Sequence, residues 1–345
     1  MKGCKEKECK KIGIFRALQL GDLMCSIPAV RALKSTYPEA EITLVGLPWA
    51  ANFVKRFSNY FSDFIHFPGY PGLPEQGYSL DSFVDFIENV KSKNFDLLIQ
   101  MHGDGSIINP MIDLLELNST AGYHKEGDYC ENREGYMVYP EGIPEIERHL
   151  ALMKFLGIQT KGSHLEFSVL PHEEDACSFL QRKHQLNKKE YVIVHAGARD
   201  TKRWWAPEKF GLVADSIAHR GYKVVLTGTE PEKKMVRAVE DSMEFPSINL
   251  AGKTELGTMA ALVRDAKMVL SNDTGISHIA AAVETPSVVI FLTSDPDRWA
   301  PLNKNLHHII LPQESSNIKL VLKKAERLLM DEENEKEFEL KMSLD

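Results

Sequence analysis

The sequence predicts an α/β protein built from two doubly wound, mainly parallel domains in tandem. Three observations carry that prediction. The chain has 345 residues, more than one ordinary core accommodates. Short, continuously apolar runs alternate with amphipathic ones, the pattern of parallel strands buried on both faces between helices. The pattern also stops at a polar stretch and starts again.

In the first half, KIGIF (11–15), EITLVG (41–46), FIHF (64–67), FDLLIQM (95–101) and TAGYH (120–124) read as strands, with helices over 23–37 and 80–90. The stretch LEFSVLPHEEDACSFLQRKHQLNKKE, with its proline, polar helix and charged turn, reads as the junction. Beyond it YVIVHAG (191–197), YKVVLTG (222–228), SINLAG (247–252), AKMVLSND (266–273) and PSVVIFL (286–292) are strands. Helices opened by APEKF, EPEKK, KTELG and TGISH separate them. The domains are set at 1–170 and 171–345. A last helix over 317–330 is free to pack back on the first domain, and a partly mobile acidic tail follows. Ligands of doubly wound sheets bind at the carboxyl ends of the strands, so two such domains are expected to face each other across a cleft.

Composition narrows the function classes. Hydrophobic residues make up 43% and charged residues 26%, the balance of a soluble globular protein. A net charge of −8 argues against a broad nucleic-acid-binding surface while leaving room for a local basic site. No apolar run reaches the length of a membrane span. The lysine-rich start, MKGCKEKECKK, has no apolar run behind it and reads as a frayed end rather than a secretory signal; contact with anionic lipid is the alternative. Five scattered cysteines (4, 9, 25, 130, 177) suggest a reducing compartment rather than a disulfide framework.

The chemistry concentrates at strand ends. LSNDTGISHIAAA runs from a strand through Asp273 to Thr274, which fits an N-cap, then Gly275, which lets a ligand approach the backbone. Ile276 and Ser277 offer amides, and His278 stands one turn in. Such a helix start binds phosphate through unpaired N–H groups and the helix dipole. A capped helix with a buried histidine explains the same residues. HAGARDTKRWWAPEKF places Arg199, Lys202 and Arg203 after another strand, before Trp204 and Trp205, and suits a diphosphate better than a solvated loop. GTEPEKK offers Glu230 and Glu232 either to ribose hydroxyls or to a helix dipole. Lys253 and Thr254 close a further strand. In the first half, Gly21 and Asp22 precede an apolar helix, so Asp22 is either its N-cap or a general base. His102 and Asp104 follow another strand as acceptor-side candidates, which loop polarity alone also explains. The D-x-D spacing of Asp295 and Asp297 is better explained by a proline turn than by a metal.

Four segments in order, L-G-D with S-I-P-A-V-R-A-L-K, H-A-G-A-R-D…K-R-W-W, N-L-A-G-K-T-E-L and N-D-T-G-I-S-H-I-A-A-A, resemble glycosyltransferase family 9. These are the ADP-heptose:lipopolysaccharide heptosyltransferases and their relatives, and the likeness covers roughly residues 11–315. The resemblance implies the GT-B fold, with two Rossmann-like domains and the donor held by the second. It implies an inverting transferase that needs no metal cofactor and uses an ADP-heptose or related nucleotide-sugar donor. By resemblance Asp22 is the catalytic base, Asp273, Thr274, Gly275 and His278 meet the donor diphosphate, and Glu232 binds ribose. A phosphate-binding cation falls on Arg203 or on Lys202, depending on alignment. A lipopolysaccharide-type glycan or glycolipid acceptor is implied, with a cytoplasmic location and peripheral contact to the inner membrane surface as an option. The loop Pro68–Tyr78 is nearly uncharged, a departure from relatives that meet an acidic acceptor with basic residues. Rival readings are a nucleotide-sugar 2-epimerase on the same fold, a non-catalytic sugar-nucleotide binder and, least well, a dinucleotide oxidoreductase, since no G-x-G-x-x-G follows either first strand.

Overall fold

The computed structural model describes residues 9–128, 130 and 134–330. The expectations for the lysine-rich start and the acidic tail fall on residues 1–8 and 331–345, outside the described residues. The chain divides into two compact units, Met1–His164 and Leu165–Asp345.

In the first unit, strands β1 (Lys11–Phe15), β2 (Glu41–Gly46), β3 (Asp63–His66), β4 (Leu97–Gln100), β5 (Thr120–His124) and β6 (Tyr136–Val138) form one parallel sheet in the order β3-β2-β1-β4-β5-β6. Helices α1 (Leu20–Thr36), α2 (Ala50–Arg56), α3 (Leu80–Ser92), α4 (Ile108–Asp113) and α5 (Glu145–Phe155) connect and cover them. Both faces of the central strands are buried, because parallel crossovers lay helices on each side. One face carries Phe15, Val45, Ile65, Phe67 and Leu98, packed against Phe83, Phe86 and Val90 of α3.

The second unit repeats the plan. Strands β7 (Tyr191–His195), β8 (Lys223–Thr227), β9 (Ser247–Asn249), β10 (Met268–Asn272), β11 (Ser287–Ile290) and β12 (His307–Ile310) are parallel in the order β12-β11-β10-β7-β8-β9. With them run α6 (Pro171–His184), α7 (Pro207–His219), α8 (Lys233–Ser242), α9 (Leu256–Asp265), α10 (Gly275–Ala282), α11 (Pro296–Trp299) and α12 (Ile318–Leu329). Counted from its own first strand, each sheet has the order 3-2-1-4-5-6, the doubly wound arrangement in which the chain reverses direction between strands 1 and 4.

The last helix, α12, packs on α7, β10 and β11 of its own unit; its Val321, Ala325 and Leu329 belong to that core. Two expectations need correction. Helix α1 begins three residues earlier than expected, at Leu20 with Gln19 as N-cap, so Asp22 is the third residue of the helix and not its cap. Cys25, Cys130 and Cys177 are free thiols, but Cys9 is disulfide-bonded, which composition did not anticipate. The sequence reading also lacked β6, β12 and α5. The first two are short edge strands of modest apolarity, and α5 buries Glu145, Arg148 and His149, which masks its helical apolar stripe. No helix among the described residues is long and apolar enough to cross a membrane.

Candidate active site

Doubly wound sheets bind ligands where the strand order reverses. In the second unit that point lies between β7 and β10, and the loops leaving those strands carry the motifs that suit a diphosphate. A single buried residue joins them. Asn272, at the end of β10, accepts the Trp205 backbone N–H at 3.1 Å and donates to the Ala196 carbonyl at 2.6 Å. Trp205 is buried and anchored by its indole N–H on the Ser315 carbonyl at 2.8 Å; the Trp204 indole donates to the Ala198 carbonyl at 2.8 Å. The paired tryptophans therefore fasten the cationic loop at its far end, and a tight turn capped by Asp200 bonding the Lys202 amide shapes its middle.

On that scaffold Arg203 lies over the start of α10. Its guanidinium is 3.6 Å from the Asp273 carboxylate and 39% exposed, whereas Asp273 is 4% exposed. Asp273 thus holds a cation in place from below. Lys202 is exposed, and among the described residues no ion pair ties its side chain. Thr274 takes the N-cap position in extended conformation, but its hydroxyl makes no capping bond. The expected amide at Ser277 is already engaged: both its N–H (3.0 Å) and its hydroxyl (2.8 Å) donate to the Thr274 carbonyl. The amides placed for an anion are therefore those of Gly275 and Ile276, which open the helix. His278 is buried one turn in, its ring edge-on to Trp299 at 6.3 Å.

Glu232 and Glu230 separate clearly. Glu230 is exposed and pairs with Lys233 at 2.7 Å. Glu232 is 8% exposed and accepts from the Thr229 amide at 2.6 Å and hydroxyl at 2.7 Å. Its carboxylate sits at the carboxyl ends of β7 and β8, against Gly197, where a Cβ would fall 2.2 Å from Glu232 Cδ. Gly197 is therefore required by close approach, not by an unusual backbone angle. His195 joins this corner: Nδ1 meets Thr227 Oγ1 at 3.0 Å and Nε2 lies 4.0 Å from Glu232. Burial pushes its imidazole below the ordinary value, against the opposing pull of Glu232.

In the first unit the reversal lies between β1 and β4, and Asp22 follows β1. One Asp22 oxygen accepts the Gln19 amide at 3.2 Å, closing the first turn of α1. Behind it stands Arg16, 1% exposed, whose Nε donates to the Asp22 carbonyl at 2.8 Å and whose NH2 lies 3.9 Å from the carboxylate. Arg16 is neutralised from the other side by Glu145 at 2.8 Å and also donates to the Met101 carbonyl. Glu145 in turn binds Arg148 and lies 3.3 Å from His149. Asp22 keeps 20% of its side chain exposed, so a carboxylate reaches solvent over a buried ionic lattice.

The remaining expected residues are drawn into loop structure. His102 is buried and its Nδ1 accepts the Ala17 amide at 3.2 Å. Burial, with Arg16 nearby, pushes its pKa down to about 3, so the ring is neutral and fixes the loop after β1. Asp104 accepts the Ser106 amide at 3.0 Å, Asp295 caps α11 through the Asp297 amide at 3.0 Å, and Lys253 donates back to the Asn249 carbonyl at 2.7 Å.

Comparison with known proteins agrees with this geometry. The model of glycosyltransferase family 9 (heptosyltransferase) matches residues 83–329. The chain belongs to that family. Lipopolysaccharide heptosyltransferase 3 of Escherichia coli K12 is 24% identical over 299 residues, 83% of each chain. Among solved structures, the glycosyl transferase family 9 protein from Veillonella parvula DSM 2008 aligns with TM-score 0.77 at 19% identity, over 95% of this chain and 99% of that one. E. coli ADP-heptose LPS heptosyltransferase II aligns with TM-score 0.73 at 21% identity, over 94% and 99%. This family 9 glycosyltransferase thus has the GT-B architecture of two Rossmann-like domains. Sequence reasoning missed Arg16, Glu145, His195 and Asn272. Arg16 and Asn272 carried one available signal, a polar residue at the end of an apolar strand, where burial demands a partner.

Proposed function

We propose that this family 9 enzyme moves a heptose, or a related sugar, from an ADP-sugar to a hydroxyl of a lipopolysaccharide-type glycolipid with inversion. The first unit takes the acceptor and the second the donor. The observation that carries the reading is the second unit's reversal point, where Arg203 is clamped beside the opening amides of α10. A fixed cation and a helix start together form a diphosphate site. The donor assignment draws support from the ADP-heptose named for the similar E. coli enzyme.

In the proposed step Asp22 takes the proton of an acceptor hydroxyl as its oxygen bonds to the anomeric carbon. The bond from that carbon to the diphosphate breaks on the opposite face, and ADP leaves with the electron pair. A positioned base contributes about 10²–10⁴-fold. Donors aimed at the charge gathering on the leaving diphosphate contribute about 3–4 kcal/mol for each key group. Arg203, with Lys202 beside it, and the Gly275 and Ile276 amides fill that role, and Glu232 accepts from ribose. Because these groups supply the positive charge, transfer should persist in a chelator. The acceptor is carried by a membrane, so the enzyme works in contact with the inner membrane surface.

The test is transfer from ADP-heptose to a heptose-deficient glycolipid, with each substrate also incubated alone. A glycosylated acceptor is expected only when both are present. An isomerised donor formed without acceptor would instead make the protein an epimerase, and no donor consumption with any acceptor would make it a binding protein.

A further inference from the structure

The step proposed above leaves His195 without a role, although the chain buries it beside Glu232. His195 closes β7 and is flanked in register by Thr227 of β8 and Ser271 of β10. Val194, Leu226 and Leu270, the residues just before each of the three, belong to the apolar core on one face of the sheet. Successive side chains of a strand alternate, so a polar row ends the other face at its carboxyl edge, where ligands of this fold bind.

The two ring nitrogens differ. Nδ1 lies 3.0 Å from Thr227 Oγ1, and among the described residues no hydrogen bond reaches Nε2. The Glu232 carboxylate, 4.0 Å from Nε2, favours a proton on that nitrogen, so the Thr227 hydroxyl donates to Nδ1. The other acceptor open to that hydroxyl, the Val194 carbonyl at 3.5 Å, is at the outer limit for a hydrogen bond. Nε2–H therefore points towards Glu232 across a gap too long for a direct bond and short enough for one hydroxyl to span. Thr229 fills one Glu232 oxygen with two bonds and leaves Oε1 to accept. The two side chains keep 11% and 10% of their surface exposed, so the gap has an open side.

We propose that His195 and Glu232 together read one ribose hydroxyl of the nucleotide: Nε2–H donates to the hydroxyl oxygen, and that hydroxyl donates to Glu232 Oε1. A hydroxyl accepts and donates at one atom and so matches both groups. A hydrogen in its place leaves a buried donor and a buried carboxylate unpaired. His195 is thereby a specificity residue that selects a ribonucleotide over a deoxyribonucleotide. The inference rests on the donor site proposed above, and the variants below separate the failure of one from the failure of the other.

The experiment is calorimetric titration of the full chain with ADP, 2′-deoxy-ADP and 3′-deoxy-ADP. One of the two deoxynucleotides is expected to bind about a hundredfold more weakly than ADP, and it identifies the hydroxyl that is read. His195→Asn keeps an acceptor for Thr227 in place of Nδ1 but carries nothing at Nε2. It should bind ADP about tenfold more weakly and that deoxynucleotide as well as the wild type does. His195→Gln, which places an amide donor near Nε2, should retain the wild-type discrimination. Equal affinity of the wild type for all three nucleotides overturns the proposal, as does the same loss for ADP and deoxynucleotide in His195→Asn, the mark of a merely structural histidine. So does a His195→Gln variant that discriminates no better than His195→Asn. Weaker ADP binding in Glu232→Gln with none in His195→Asn overturns this inference and leaves the donor site standing. Unchanged ADP affinity in Glu232→Gln overturns both.

Discussion

The two units share one strand order and reverse it at the same place, yet they present opposite charges there. In the first unit a cation, Arg16, is buried and a carboxylate, Asp22, stands over it, partly open to solvent. In the second a carboxylate, Asp273, is buried and a cation, Arg203, stands over it. Each exposed group is oriented by a buried partner of the opposite sign, so neither depends on a flexible side chain finding its own position. The fold supplies the location and the buried ion selects what is displayed. A displayed carboxylate suits proton removal from an alcohol, and a displayed guanidinium suits a diphosphate.

That contrast is open to direct attack. The largest effect is expected from Asp22→Asn, which keeps the shape and removes the base. Transfer should fall by about 10²–10⁴-fold while ADP affinity, read by calorimetry, stays the same. Normal turnover would show that the first unit's display is not catalytic. Next in size is Glu145→Ala, which leaves Arg16 and Arg148 buried together without their shared counter-charge. Stability should drop by about 3–5 kcal/mol, measured by denaturant unfolding, and a near-neutral result would mean the lattice does not support Asp22. Arg203→Ala should weaken ADP binding by about 1.5–3 kcal/mol, and Lys202→Ala by less, since only Arg203 is held by Asp273. The reverse order would transfer the diphosphate contact to Lys202.

A pH titration probes the buried histidines of both units. Burial lowers His102 to about 3 and His149 to about 4 in the first unit, and His307 to about 4 in the second. Each ring binds its proton less well folded than unfolded. Its contribution to stability is therefore complete above the ordinary value near 6.5 and is lost as pH falls towards 3–4, at about 1.4 kcal/mol per pH unit and ring. His102→Asn keeps an acceptor for the Ala17 amide and should flatten that slope by one proton. An unchanged slope would show that His102 is not the neutral buried ring described here.

Much of this was legible in the residues. The apolar runs located ten of the twelve strands among the described residues, because a parallel strand buried on both faces has a pattern that few other elements share. The strand-end motifs singled out Lys202 or Arg203, Asp273 and Glu232 as candidates, because small residues and charges after a strand are seldom there for packing. What pairwise spacing could not supply was long-range partnership. Glu145 lies 129 residues from Arg16, and Asn272 lies 67 from Trp205. Nor does a sequence tell which of Glu230 and Glu232 turns inward, since both belong to the same short turn and only the space left by Gly197 decides it. Ser277 misled for a related reason: its position in the first turn suggested a free amide, and its bond back to Thr274 is a matter of local geometry.

The most direct test of the central claim is a crystal structure of the enzyme with ADP bound. Diphosphate oxygens are expected within hydrogen-bond distance of the Gly275 and Ile276 amides and the Arg203 guanidinium, with a ribose hydroxyl on Glu232. Diphosphate bound away from the start of α10, with Arg203 still resting on Asp273 and taking no part, would contradict the account.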